Sequence, residues 1–99
     1  PPYMSNYVSL KYALSGLMKS LVSEYKNKDI SFNSISPSML DTPFIKKIDN
    51  KIIELNKFNN PKKRLGKASE VSEAIMFLLN TKTNFINGSD IILTGGEII

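Results

Sequence analysis

An α/β fold with parallel strands is what this 99-residue sequence predicts. Three observations carry that expectation. Leu10, Leu14, Leu17, Met18, Leu21, Val22 and Tyr25 recur at three- and four-residue steps, the signature of one long amphipathic helix. Two short apolar runs, Ile30–Ser36 and Asp90–Leu93, read as strands. The segment between them is far too long for a hairpin and carries helical periodicity of its own, so parallel pairing through a right-handed crossover is expected.

The long helix is placed at Asn6–Lys28, with Ser5 or Asn6 as N-cap and Asn27-Lys28-Asp29 as its end. Gly16, in a line with Ala13 and Ser20, costs helix stability of about 1 kcal/mol relative to Ala, which close packing by a neighbour would explain. Pro37 stops the first strand, and Ser38–Phe44 is read as a loop broken again at Pro43. Ile45, Ile48, Ile52 and Leu55 predict one helix over Ile45–Phe58, ended by Asn59-Asn60-Pro61. Ser69 is the expected N-cap of the next helix, with Glu70 and Glu73 in its first turn and Val71, Ala74, Ile75, Leu78 and Leu79 as its stripe. Asn87-Gly88 is a turn, and Thr94-Gly95-Gly96 ends the last strand. Helix, strand, helical crossover and strand make one βαβ unit preceded by a helix. Two parallel strands do not make a finished sheet, because such sheets are covered on both faces. More chain or a partner is expected.

Composition excludes several chemistries. No Cys removes disulfides, thiolate metal sites and a cysteine nucleophile, and no His removes a Ser-His-Asp triad and histidine-ligated zinc. No metal site is expected. General acids and bases must come from Asp, Glu, Lys or Tyr. No apolar run approaches the roughly 20 residues that span a bilayer, and the first residues lack a secretory pattern, so neither a membrane partner nor export is expected. The net charge is +4, with its densest cluster at Lys62-Lys63-Arg64 and Lys67. Without interleaved aromatics or a binding motif, that cluster reads as solvated surface, and no nucleic-acid partner is expected.

Tyr7 and Lys11 stand four apart and so share a helix face. An ammonium beside a phenol stabilises the phenolate, which makes the pair an acid–base device for a carbonyl or alcohol oxygen. Taken alone, the spacing favours a plainer reading, a Tyr packed at a helix start beside a solvated Lys.

From Tyr7 onward the sequence resembles the C-terminal part of the short-chain dehydrogenase/reductase family, and in particular its 3-oxoacyl-acyl-carrier-protein reductase-like members. Tyr7-Val-Ser-Leu-Lys11 matches the family's Tyr-x-x-x-Lys, and Ala13-Leu14-Ser15-Gly16-Leu17 continues its helix. Ile30–Pro37 looks like the strand ending in Asn-x-Ile-x-Pro-Gly, and Thr42 sits where a Thr follows that Pro. Arg64-Leu65-Gly66, Phe77-Leu78-Leu79, Gly88 and Thr94-Gly95-Gly96 match later family positions in order. The resemblance departs at Ser38, where Gly is usual, at Leu10, where Ser is common, and at Thr94, where Asp is common.

The resemblance implies a doubly wound Rossmann-like parallel sheet, of which residues 1–99 would be the C-terminal portion of a single domain. It implies hydride transfer between NAD or NADP, with NADP preferred, and a small-molecule carbonyl or alcohol. Tyr7 would give or take the substrate proton, and Lys11 would assist it and hold the nicotinamide ribose. Pro37, Ser38, Leu40 and Thr42 would lie along the cofactor, with Thr42 and the Leu40 backbone on the nicotinamide carboxamide. Residues 41–58 would face the substrate, and Met39, Leu40, Phe44 and Ile45 would line an apolar pocket. A cytoplasmic homo-oligomer, dimer or tetramer, is also implied. The family's glycine-rich phosphate loop, its catalytic Ser and Asn, and the residue that selects NAD or NADP have no counterpart in the sequence. The 99-residue chain alone is therefore expected to be inactive. A non-catalytic interaction module that keeps the assembly surface of such a fold is the rival expectation.

Overall fold

The computed structural model describes residues 5–97. Helix α1 spans Ser5–Glu24, strand β1 Ser34–Pro37, β2 Leu40–Asp41, helix α2 Asn50–Asn59, β3 Gly66–Lys67, helix α3 Ala68–Asn80 and β4 Asp90–Leu93; a 3-10 turn at Pro43–Lys47 precedes α2. The strands form two two-stranded sheets, β1 with β4 and β2 with β3. Ser34 N–H donates to the Ser89 carbonyl at 2.9 Å and Ser38 N–H to that of Leu93 at 3.1 Å. Equal four-residue advances on both strands mark parallel neighbours, as the long crossover requires. β2 and β3 are also parallel, with Leu40 opposite Gly66 and Asp41 opposite Lys67. The described chain divides into two compact units, one of residues 5–34 and 81–90, the other of residues 35–80 and 91–97.

In the first unit α1 ends four residues earlier than its periodicity suggests. Tyr25 N–H still reaches the Leu21 carbonyl at 3.0 Å, but Lys26 turns to Ser23 at 3.4 Å, an i→i−3 tightening typical of a closing helix. The N-terminal boundary expected at Ser5 or Asn6 falls at the edge of the described residues. β1 begins at Ser34 and not at Ile30. Phe32 and Asn33 are drawn off by the turn before β4: Phe32 N–H donates to Asn87 Oδ1 at 2.9 Å, Asn33 Nδ2 to the Ile86 carbonyl at 3.0 Å, and Ser89 N–H to Asn33 Oδ1 at 3.0 Å. Side-chain amides thus take over part of the pairing, beside one backbone bond from Gly88 N–H to the Phe32 carbonyl at 2.7 Å. The Tyr25 and Phe32 rings meet at 5.8 Å between centroids. Among the described residues, no atom beyond its own stretch of helix lies within 4 Å of where a Gly16 side chain would start, so none of them supplies the close neighbour expected there.

In the second unit the expected helix Ile45–Phe58 is two pieces. Pro43 opens the 3-10 turn, and Ile48 breaks it with extended backbone at φ −95°, ψ 140°. Asp49 then caps α2, its carboxylate accepting from Lys51 N–H at 2.9 Å. The expected loop Ser38–Phe44 holds β2 as well. Ser69 lies inside α3 and is not its N-cap. Glu70 does the capping instead, reaching back to accept from Lys67 N–H at 3.0 Å, the half of a capping box that a third-position Glu supplies. Among the described residues Met18 is the buried apolar side chain of the first unit, and Ile53 and Leu65 those of the second.

Candidate functional site

Tyr7 and Lys11 lie one turn apart on α1, in the first unit; Tyr7 is 52% exposed and Lys11 half-buried. The helical spacing expected for an acid–base pair is present. Pro37, Ser38, Leu40 and Thr42 all belong to the second unit and are half-buried. Pro37 closes β1, Ser38 follows it, Leu40 opens β2, and Thr42 leads into the 3-10 turn with extended backbone at φ −135°, ψ 166°. The Thr42 hydroxyl does not cap that turn. Among the described residues Lys63 is the non-glycine at positive φ, at 57°, so Ser38 needs no glycine-like backbone and its departure from the family pattern brings no strain.

Ser38 and Leu40 border a cleft of about 190 Å³ whose walls also include Asn60, Arg64, Glu70 and Thr94. Two of these wall residues are buried polar groups that hold the cleft's rim. Asn60, 4% exposed, donates from Nδ2 to the Thr94 carbonyl at 2.9 Å and accepts from Lys62 N–H at Oδ1 at 2.8 Å. The turn after β4 comes so close that a side chain on Gly95, at φ 66°, would start 2.9 Å from Asn60 Oδ1. Glycine is needed there on both counts.

Arg64 and Glu70 form a two-pronged ion pair, Nη1 to Oε1 at 2.7 Å and Nη2 to Oε2 at 3.0 Å. The hydrogen bond from Arg64, and after it the Lys67 N–H, pushes the Glu70 carboxyl down to about 2. The same hydrogen bond raises Arg64 above its ordinary value. Lys63 donates to the Phe58 carbonyl at 2.7 Å and sits 4.7 Å from the Phe58 ring centre. Two cations of the Lys62–Lys67 cluster are thus committed within the chain.

The pattern of apolar residues does not reveal Asn60 or the Arg64–Glu70 pair. Asn60 follows a helix and precedes Pro61, which marks a boundary but not burial. Glu70 three residues after Lys67 was a capping signal, obscured by Ser69 as the more obvious cap. Among the described residues no three acidic side chains group as a metal site, and no helix is long and apolar enough to cross a membrane.

A family model described as enoyl-(acyl carrier protein) reductase matches residues 1–97. The chain is 36% identical to the short-chain dehydrogenase srdC of Neurospora crassa over 99% of its own length and 37% of the relative's. It is 37% identical to the 3-oxoacyl-[acyl-carrier-protein] reductase FabG of Buchnera aphidicola over 92% of itself and 37% of the relative. A crystal structure of a short-chain dehydrogenase/reductase from Brucella melitensis superposes with a TM-score of 0.83 at 27% identity, covering 100% of this chain and 40% of that one. The chain therefore spans about two-fifths of the length of the relatives it matches, and its strands and helices form part of a Rossmann-like fold. It belongs to the short-chain dehydrogenase/reductase family.

Proposed function

We propose that this chain is the C-terminal portion of an NAD(P)-dependent oxidoreductase that reduces a carbonyl or oxidises an alcohol of a small molecule. The observation that carries the proposal is the Tyr7–Lys11 pair on one face of α1 in a chain of this family. The nicotinamide supplies or accepts the hydride when bound. Tyr7 passes a proton between its hydroxyl and the substrate oxygen, with Lys11 one turn along the same helix face beside it. Lys11 also holds the ribose hydroxyls. Thr42, whose hydroxyl is not spent on capping, and the backbone of Leu40 hold the carboxamide, with Pro37 and Ser38 lining the same side. A phenol, an ammonium, a hydroxyl and strand-end backbone groups are donors suited to a nicotinamide riboside, which supports the fit of this cofactor. NADP is preferred to NAD.

The relatives reported above are named for dehydrogenase or reductase activity, which favours this reading over a non-catalytic interaction module. A cytoplasmic homo-oligomer, dimer or tetramer, completes the proposal. In the full-length protein that contains this chain, Tyr7→Phe is expected to lower turnover by about 10²–10⁴-fold. Near-parental turnover in that variant would remove Tyr7 from the reaction.

A further inference from the structure

Building on that function, we propose that Arg64 and Glu70 are positioning residues: their ion pair sets β3 against β2 and so fixes Leu40 and Thr42 for the nicotinamide end of the cofactor. β2 and β3 are each two residues long. A parallel pair so short has little hold of its own. Gly66 N–H reaches the Met39 carbonyl at 3.2 Å, a modest bond on which to hang a strand end.

Three bonds to one carboxylate bracket β3 from both sides. Arg64, before β3, grips both Glu70 oxygens, and Glu70, after β3, also accepts from Lys67 N–H within it. Arg64 Nη1 donates further to the Leu65 carbonyl at 3.0 Å, and the Leu65 side chain is buried. Residues 64–70 are thereby closed into one loop whose planar, bidentate joint fixes direction as well as distance. That loop then dictates where Leu40 can be. A side chain on Gly66 would start 2.9 Å from Leu40 Cδ2, so the backbone of β3 lies directly on Leu40. Two residues later Thr42 enters the 3-10 turn. A shift of β3 is therefore passed to Leu40 and Thr42.

Arg64 and Glu70 are both substantially exposed, and exposed pairs contribute little to global stability. Their loss is expected to show in ligand geometry more than in folding. The test uses the full-length protein with Glu70→Ala, and with Arg64→Lys, which keeps the charge and loses the fork. Affinity is measured for the intact cofactor and for ADP-ribose or its 2′-phosphate, which lack the nicotinamide, alongside cofactor KM and kcat. Glu70→Ala is expected to weaken the intact cofactor about tenfold, since small misplacements of binding groups are costly, with ADP-ribose affinity and saturated kcat nearly unchanged. Glu70→Gln keeps one acceptor oxygen, enough for Lys67 N–H and one Arg64 nitrogen, but turns an amide donor toward the other Arg64 nitrogen, so it loses the fork and is expected to recover only a small part of the loss.

Equal weakening of both ligands would mean a merely structural pair and would overturn the proposal. So would unchanged cofactor affinity in folded Glu70→Ala and Arg64→Lys proteins when Thr42→Val weakens the intact cofactor alone. Should Thr42→Val itself leave that affinity unchanged, the failure would lie in the placement of Thr42 at the nicotinamide. If Glu70→Ala does not fold, the Arg64→Lys protein gives the same ratio of affinities.

Discussion

The two compact units hold their candidate site residues in different ways. In the first, Tyr7 and Lys11 ride on a helix whose apolar stripe has little cover: Leu10, Leu14 and Leu17 are 60%, 57% and 55% exposed. Its fixed points are polar, the Asn33 and Asn87 amides that tie residues 32–33 to residues 86–89. In the second, Ser38, Leu40 and Thr42 lie on short strand ends braced by buried Asn60, Leu65 and Thr94 and by the Arg64–Glu70 fork. The difference teaches where each half gets its rigidity. A 20-residue helix can hold a Tyr and a Lys in relative register by its backbone alone, while its apolar side waits for other surfaces. Two-residue strands have no such backbone strength and need side-chain bonds.

The largest consequence concerns exposed apolar surface, which the second unit shares with α1: Phe44, Phe58 and Leu79 are exposed as well. Exposed apolar patches of several hundred Å² seek partners, and open strand edges do the same. The 99-residue polypeptide is expected to self-associate at micromolar concentration, read by light scattering. A monodisperse monomer with cooperative unfolding would show that these faces, that of α1 among them, find their cover within the chain.

A smaller effect is expected in the second unit. Asn60→Ala in the full-length protein removes the bonds to the Thr94 carbonyl and the Lys62 N–H and leaves a buried acceptor unsatisfied. The expected loss is about 1–3 kcal/mol by denaturant unfolding. A loss below about 0.5 kcal/mol would mean that the turn after β4 is held by something other than Asn60.

The smallest effect is electrostatic. The Glu70 carboxyl lies at about 2, below its ordinary 4.5, so it contributes stability that is complete above about pH 4.5 and is lost as pH falls toward 2. The difference in unfolding midpoint between the parent and Glu70→Gln is expected to shrink across that window. A difference that stays constant from pH 6 to about 2.5 would contradict the depressed carboxyl.

Elements with their own repeat were legible in the sequence. The leucine spacing of α1, the stripe of α3 and the apolar run of β4 each impose a period that backbone geometry must satisfy, and β4 lies at Asp90–Leu93 as expected. What the repeat does not encode was misplaced. Ile45, Ile48, Ile52 and Leu55 keep helical spacing across a break that the spacing does not encode, and the side chain α2 buries is Ile53 instead. Residues 30–33 alternate like a strand but bond to a turn, a choice made by residues 86–89 and invisible locally. β2 and β3 are too short to show any period. Tyr7, Lys11 and Thr42 are proposed from family resemblance and helix spacing. Arg64 with Glu70 is not, since a separation of six matches neither a helix face nor a strand.

The division of labour between the two units is tested most directly by measuring cofactor affinity and saturated turnover for Tyr7→Phe and Thr42→Val side by side in the full-length protein. Tyr7→Phe is expected to lose turnover by about 10²–10⁴-fold with cofactor affinity nearly unchanged. Thr42→Val is expected to lose cofactor affinity, with turnover at saturation largely kept. The same pattern of loss in both variants, or turnover undiminished in Tyr7→Phe, would contradict it.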